Sequence, residues 1–255
     1  MNILFIGDVV GQASADFLVS RLPALKKQYN TDVTIVNGEN SADGNGITPF
    51  SANILLNGGV DVITTGNHCF RRREMNDLYE TSDIIIRPAN LGDVVGKGFC
   101  ILDMGRTQLA VINLIGMAFM DNCDNPFNYV DRLLTEIATK NIIVDFHAEA
   151  TSEKKAMGYF LEGRVSAVIG THTHVQTADQ QIIGGHTGFI TDAGFTGVKE
   201  SVLGIDKEVI ISRLTTYYPR KHTYPEGEIM INGVSLTIDE KTGKCTAIER
   251  INTLG

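Results

Sequence analysis

The sequence predicts an α/β fold with much parallel sheet. Short apolar runs recur along the chain, stretches of helical periodicity separate several of them, and polar residues collect directly behind the runs. Residues 2–7 (NILFIG) form the first strand, ended by Gly-Asp, and Phe17, Leu18, Leu22 and Leu25 then recur at helical spacing. Residues 33–37 (VTIVN) repeat the unit: a strand, a glycine-rich loop, then Thr48 as N-cap with Pro49 at the first helical position. Residues 61–66 (DVITTG) give a third strand. Further strands are expected at 83–86, 99–103, 108–114, 141–146, 165–169 and 187–191, with helices around 128–139 and 152–162. The C-terminal VSLTIDEKTGKCTAIERI alternates differently. It reads as an antiparallel hairpin at a sheet edge, turning at Glu240-Lys241-Thr242-Gly243. No repeat, low-complexity tract or Pro/Ser-rich linker divides the chain, so residues 1–255 are read as one domain.

Composition narrows the partners. With 43% hydrophobic and 20% charged residues the chain has ordinary globular material for a core. Its net charge of -8 and pI near 5.2 supply no general basic field for a long nucleic acid, so a phosphate-bearing ligand has to be attracted locally. Aromatic residues make up 7% and tryptophan is missing, which leaves no base-stacking platform. Cys69, Cys100, Cys123 and Cys245 are scattered, without a C-x-x-C pair, as expected of reduced thiols in a cytoplasm. The opening MNILFIGDVV lacks a basic n-region and meets Asp8 too early for a signal peptide, and no later run reaches membrane-spanning length.

The chemistry collects at strand ends. Asp8 follows ILFIG, Glu39 and Asn40 follow TIVNG, and Asn67 and His68 follow VITTG. His147 follows IIVDF, and His172 and His174 follow AVIG in Gly170-Thr171-His172-Thr173-His174. Carboxyl ends of strands are where ligands bind in open α/β sheets, because the loops converge there. Carboxylates, carboxamides and imidazoles together form a mixed oxygen and nitrogen donor set suited to Mn, Fe or Zn, with Mg and Ni also compatible. On an extended segment His172 and His174 project to one side, so two neighbouring metals could each take one.

Taken singly, each residue has a plain reading. Asp8 and Asn67 are ordinary turn residues, Glu39 a solvated charge, and His147 a satisfied histidine beside a sheet. Their ordered combination carries the argument. Other candidates stay plain: His186 in a turn, His222 in a polar stretch, and Cys69, which nothing marks as a nucleophile. Arg71, Arg72 and Arg73 read as a solvated or partner-facing start of a helix, or as steering for phosphate. The Gly44-Asn45-Gly46-Ile47-Thr48 loop is either a wall of the site or a connection, and Asp192 is open.

The succession of Gly7-Asp8, Gly38-Glu39-Asn40, Gly66-Asn67-His68, a solitary His147 and the Gly170 to His174 run resembles the calcineurin-like metallophosphoesterases from residue 2 to about 195. The usual opening Asp-x-His is replaced by Asp8-Val9-Val10, and the bridging acid is Glu39 rather than aspartate. These departures, with the GDVVG opening and Asn45-Gly46-Ile47-Thr48, look like the YmdB-like branch. The resemblance implies a single metallophosphoesterase-type αββα sandwich with mixed central sheets. It implies that Asp8, Asn40 and His174 hold one metal, that Asn67, His147 and His172 hold another, and that Glu39 bridges them. His68 would be a non-ligand over the substrate, protonating the departing oxygen or stabilising charge.

Two divalent cations less two carboxylates leave a net positive pocket in an acidic protein. The cofactors so implied are two divalent or di/trivalent ions, Fe or Mn first, then Zn or Mg. The activity implied is hydrolysis of phosphodiesters in cyclic nucleotides, 2′,3′-cyclic and/or 3′,5′-cyclic, by metal-activated water, with a homo-oligomer compatible. The rivals are a phosphomonoesterase and a regulatory metal-binding protein that acts on RNA turnover through partners.

Overall fold

The computed structural model describes residues 1–254. β1 (Asn2–Ile6) and the two-residue β2 (Asp8–Val9) precede α1 (Gln12–Gln28), which buries Leu18, Leu22 and Leu25 as its spacing requires. β3 (Val33–Asn37) leads to α2 (Pro49–Asn57), whose first turn is closed by a capping box. There the Ser51 N–H donates to Thr48 Oγ1 and the Thr48 N–H to Ser51 Oγ, each at 3.1 Å. β4 (Val62–Thr64) and α3 (Asn76–Thr81) come next, then β5 (Phe99–Asp103), β6 (Gln108–Ile115), α4 (Pro126–Leu133), β7 (Ile142–His147), α5 (Thr151–Phe160) and β8 (Ala167–Thr171). The chain continues through β9 (Gln181–Ile183), β10 (Thr187–Ile190), β11 (Phe195–Val198), α6 (Lys207–Thr216), β12 (Ile229–Ile238) and β13 (Cys245–Leu254).

Two mixed sheets result. One runs β2-β11-β12-β1-β3-β4, with β13 on the free side of β12; the other runs β5-β6-β7-β8-β10-β9. β1, β3 and β4 are mutually parallel, as are β6, β7, β8 and β10. Strand alternation assigns the layers. Ile3 and Phe5 of β1 point between the sheets with Ile35, Val111, Ile143 and Ile169, whereas Leu4 and Ile6 point outward onto Leu18, Leu22 and Leu55 of α1 and α2. On the far side Leu114, Val144 and Phe146 pack against Val130 of α4 and Met157 of α5. This is the αββα sandwich with mixed central sheets.

Some boundaries differ from expectation. Residues 83–86 form no strand, only isolated bridges at Ile85 and Ile86, because Ser82 Oγ takes the N–H groups of Ile84 and Ile85 and Pro88 offers no donor. The helix expected over 128–139 ends at Leu133, where Thr135 Oγ1 bonds back to Arg132 O. The strand expected at 165–169 runs two residues later, bringing Thr171 into the ladder beside His147. The C-terminal hairpin is present, but only β13 is at an edge; β12 lies inside the sheet, antiparallel to β1 and β11. All four cysteines are free thiols, and burial pushes Cys69 up to about 12, which leaves it no nucleophile. Among the described residues no helix is long and apolar enough to cross a membrane.

Candidate metal centre

The carboxyl ends of β1, β3 and β4 meet those of β7 and β8 along one rim of the sandwich, so residues far apart in the chain converge. Glu39 Oε1 lies 3.1 Å from His147 Nε2, and Asp8 Oδ2 accepts from the His172 N–H at 3.1 Å. Asp8, Glu39 and His147 are fully buried. The glycines of the motifs have steric causes. A Cβ on Gly66 would stand 2.3 Å from the His147 ring and 2.4 Å from Glu39 Oε2, and one on Gly170 would stand 1.8 Å from Thr191 O.

His172 and His174 occupy backbone conformations that side-chain-bearing residues rarely adopt, with φ of 100° and 61°. Thr173 between them is pinned by Asp192 Oδ2, which accepts from its N–H at 3.0 Å and its hydroxyl at 2.7 Å. The same oxygen accepts from Lys154 Nζ at 2.7 Å, and both charged side chains are about 1% exposed. Asp192 thus fastens the loop that carries two of the histidines.

Each of His147, His172 and His174 has one nitrogen occupied by a neighbour, which orients the other toward the site. His147 Nδ1–H donates to Thr171 Oγ1 at 2.9 Å, because that hydroxyl's own proton is committed to Asp145 Oδ1 at 2.6 Å. Asn37 Nδ2 and the Thr64 hydroxyl complete the hold on Asp145. His172 presents Nε2 to Glu149 Oε2 at 3.1 Å, and His174 presents Nδ1 to Leu203 O at 3.1 Å. The nitrogens left over are His147 Nε2, His172 Nδ1 and His174 Nε2.

These free nitrogens meet other acceptors. His147 Nε2 lies 3.0 Å from Asn67 Oδ1, 3.0 Å from His172 Nδ1 and 3.1 Å from Glu39 Oε1. One proton cannot satisfy three acceptors, whereas a cation can be shared among them. Glu39, His147 and His172 bring ligand atoms within 4.8 Å of one another. On the neighbouring side Asp8 Oδ1 is buried without a hydrogen-bond partner, and His174 Nε2 stands off at 3.5 Å. The donor set therefore fits metal ions. Asn40 is turned toward His68: its Oδ1 accepts from His68 Nδ1 at 2.8 Å while its Nδ2 donates to Glu39 Oε1 at 3.1 Å.

Burial opposes charge at every group here, and neighbours decide the outcome. Burial raises the Asp8 carboxyl, but His174 and His147 outweigh it and hold Asp8 well below the usual range; His147 does the same for Glu39. Burial lowers His147, yet Glu39 beside it lifts it to about 9. His172 is held down at about 4 by burial and then by His147, and burial also lowers His68. Asp145 is raised by burial to about 6. Two ionised carboxylates and a tightly held proton mark a place where a cation and a proton compete.

Above this cluster opens a cavity of about 410 Å³, lined by Glu39, His68, His172 and His174 on one side and Val202, Leu203, Ile205 and Ile210 on the other. His222 and Tyr224 also line it, which corrects the reading of His222 as a bystander in a polar stretch. Asn45 is a wall as well, 3.5 Å from His68 Nε2, and Arg72 holds its loop through Asn45 O at 3.0 Å and Asp43 O at 2.7 Å. Of the three arginines, Arg72 is therefore a loop clamp. Sequence reasoning missed Asp145, Glu149, Lys154 and Leu203. Only Asp145 left a signal, an acid inside the apolar run IIVDF.

The YmdB-like protein family matches residues 4–251. The chain is similar to a 2′,3′-cyclic-nucleotide 2′-phosphodiesterase of Bacillus subtilis (strain 168), 46% identical over 254 residues that cover 98% of this chain and 96% of that protein. Among solved structures it is similar to a hypothetical protein from Thermus thermophilus, with a TM-score of 0.94, 37% identity and coverage of 100% and 99% of the two chains. It is likewise similar to a novel phosphatase of Mycoplasma pneumoniae, with a TM-score of 0.95, 30% identity and coverage of 100% and 93%. With the family match spanning almost the whole chain and the relatives matched end to end, the chain belongs to the YmdB-like protein family, within the metallophosphoesterase superfamily.

Proposed function

We propose that this phosphoric ester hydrolase is a dinuclear metal-dependent phosphodiesterase of cyclic nucleotides, 2′,3′-cyclic and/or 3′,5′-cyclic, working as one domain in the cytoplasm. The observation that carries the reading is the convergence of three oriented imidazole nitrogens and two ionised carboxylates directly beneath an open cavity, whose lining includes Glu39, His172 and His174. The 46% identical relative named as a 2′,3′-cyclic-nucleotide 2′-phosphodiesterase supports the substrate class. Asn67, His147 and His172 would hold one ion, Asp8, Asn40 and His174 the other, with Glu39 between them. Nitrogen and oxygen donors without thiolate suit Fe or Mn, with Zn or Mg as alternatives. When bound, such ions polarise the phosphoester and make water a nucleophile at neutral pH.

The chain's own groups then have separate tasks. Asp145 through Thr171, Glu149 and the Leu203 carbonyl keep each imidazole in the tautomer that faces the site. His68 is anchored by Nδ1–H to Asn40, so its Nε2 edge, beside Asn45, is the part available to the phosphoester or the departing oxygen.

The test is turnover by protein loaded with Mn or Fe, comparing kcat/KM for a 2′,3′-cyclic nucleotide, bis(p-nitrophenyl) phosphate and p-nitrophenyl phosphate. Diesters are expected to be preferred. A clear monoester preference makes the protein a phosphomonoesterase, and no turnover of any ester by protein holding two ions sinks the enzymatic reading.

A further inference from the structure

The cavity joins an ionic floor to an apolar wall, and the wall comes from a single stretch of chain. Residues 199–228 leave the first sheet after β11 and return as β12, and on the way Val202, Leu203, Ile205 and Ile210 face the metal centre. α6 within this stretch buries none of its residues, so no core holds it. It is tied instead to the loops of the centre. Leu203 O accepts from His174, and Tyr224 Oη accepts from the Gly44 N–H at 2.8 Å, in the loop whose Asn45 reaches His68.

Inorganic phosphate on the floor would leave that wall without a partner. We propose that residues 199–228 are the roof of a nucleobase subsite, taking a planar heteroaromatic base against Leu203 and Ile210 while the phosphoester sits on the floor. The volume of about 410 Å³ lies within the range of small-molecule sites, and apolar walls with a few polar groups are how such sites bind and orient a ring. The polar edge is supplied by His222 and Asn45, which line the same cavity and can hydrogen-bond ring nitrogens and exocyclic groups. This inference rests on the phosphodiesterase reading and names the part of the substrate that reading leaves open.

The experiment measures binding rather than turnover, so the two readings can fail separately. Calorimetry on Mn-loaded protein gives Kd for inorganic phosphate and for adenosine 3′-monophosphate, in the wild type and in Ile210→Ala and His222→Ala. Each variant is expected to weaken the nucleotide by roughly fivefold to tenfold, the scale of losing part of one apolar or polar contact, and to leave phosphate within about twofold. Equal weakening of both ligands, or of neither, overturns the subsite. Tighter binding of octyl phosphate than of the nucleotide overturns the nucleobase in favour of an alkyl group. Because α6 buries none of its residues and His222, beyond its end, is only half-buried, both variants keep the wild-type Tm if the roof serves only binding.

Discussion

The floor and the roof of the cavity are built in opposite ways. The floor stands on the ends of five strands, its carboxylates are buried, and three of its histidines have their far nitrogens occupied by named partners. The roof is a loop and an exposed helix, with Ile211 and Leu214 of α6 open to solvent and three hydrogen bonds linking it to the loops of the centre. Segments with few buried contacts open at much lower free energy than core strands. The contrast teaches that this fold keeps the convergent polar groups rigid and leaves the facing apolar wall of the cavity adjustable. Changes in the floor should therefore appear in metal content and kcat, and changes in the roof in KM.

The largest effect belongs to the proposed ligands. Asp8→Ala and His172→Ala should each lower metal affinity by more than the ~10–100-fold that losing an outer supporting partner costs. Elemental analysis of reconstituted wild type should find about two ions per chain. If either variant retains full occupancy, the floor is not a metal site of this kind. His68→Ala should lower kcat by about a hundredfold or more with metal content unchanged. A diester with a very good leaving group should lose less than a nucleotide; equal losses would leave charge stabilisation as the only role.

Lys154→Met separates rigidity from mere stability within the floor. Removing the lysine leaves Asp192 as a buried, uncompensated carboxylate, which costs about 3–5 kcal/mol of stability. It should also loosen Thr173 between the two histidines and weaken metal binding by about tenfold to a hundredfold. Val130→Ala, on α4 in the outer core, is the comparison, expected to lose stability alone. Urea unfolding of both variants with chelator competition reads the two quantities, and unchanged metal affinity in Lys154→Met would reduce the pair to a fold element.

Smaller effects test the roof and the floor's backing. Tyr224→Phe removes the acceptor of the Gly44 N–H, about 1 kcal/mol, so KM for a cyclic nucleotide should rise by at most roughly fivefold with kcat steady. A fall in kcat alone would mean that the roof governs chemistry after all. Asp179 accepts from the Thr191 hydroxyl at 2.5 Å, the Thr177 hydroxyl at 2.7 Å and the Thr191 N–H at 3.1 Å, and pairs with Lys155 at 3.0 Å. Burial raises it, but these bonds bring its carboxyl down to about 2. Its folded-state value is thus depressed, so the stability it contributes is present above pH 3.8 and is lost as pH falls toward 2. Acid unfolding of Asp179→Asn should lack that part of the slope, and an unchanged slope would remove Asp179 from the linkage.

The sequence by itself determined which polar side chains gather at the site and their order, because each follows an apolar run whose alternation already places it at a strand's carboxyl end. Asp8, Glu39, Asn67, His147, His172 and His174 were legible for that reason, as was the Thr48 cap of α2. Tertiary structure alone decided what surrounds them. Asp145 meets Thr171 only because β7 and β8 pair in the register that sets His147 opposite Thr171. Lys154 meets Asp192 across 38 residues, and Leu203 meets His174 across 29. His222 reads as polar loop along the chain and becomes a cavity wall through the path of residues 199–228. The physical reason is range: periodicity and caps act within a few residues, whereas a histidine's tautomer and the far wall of a cavity depend on contacts closed by the whole fold.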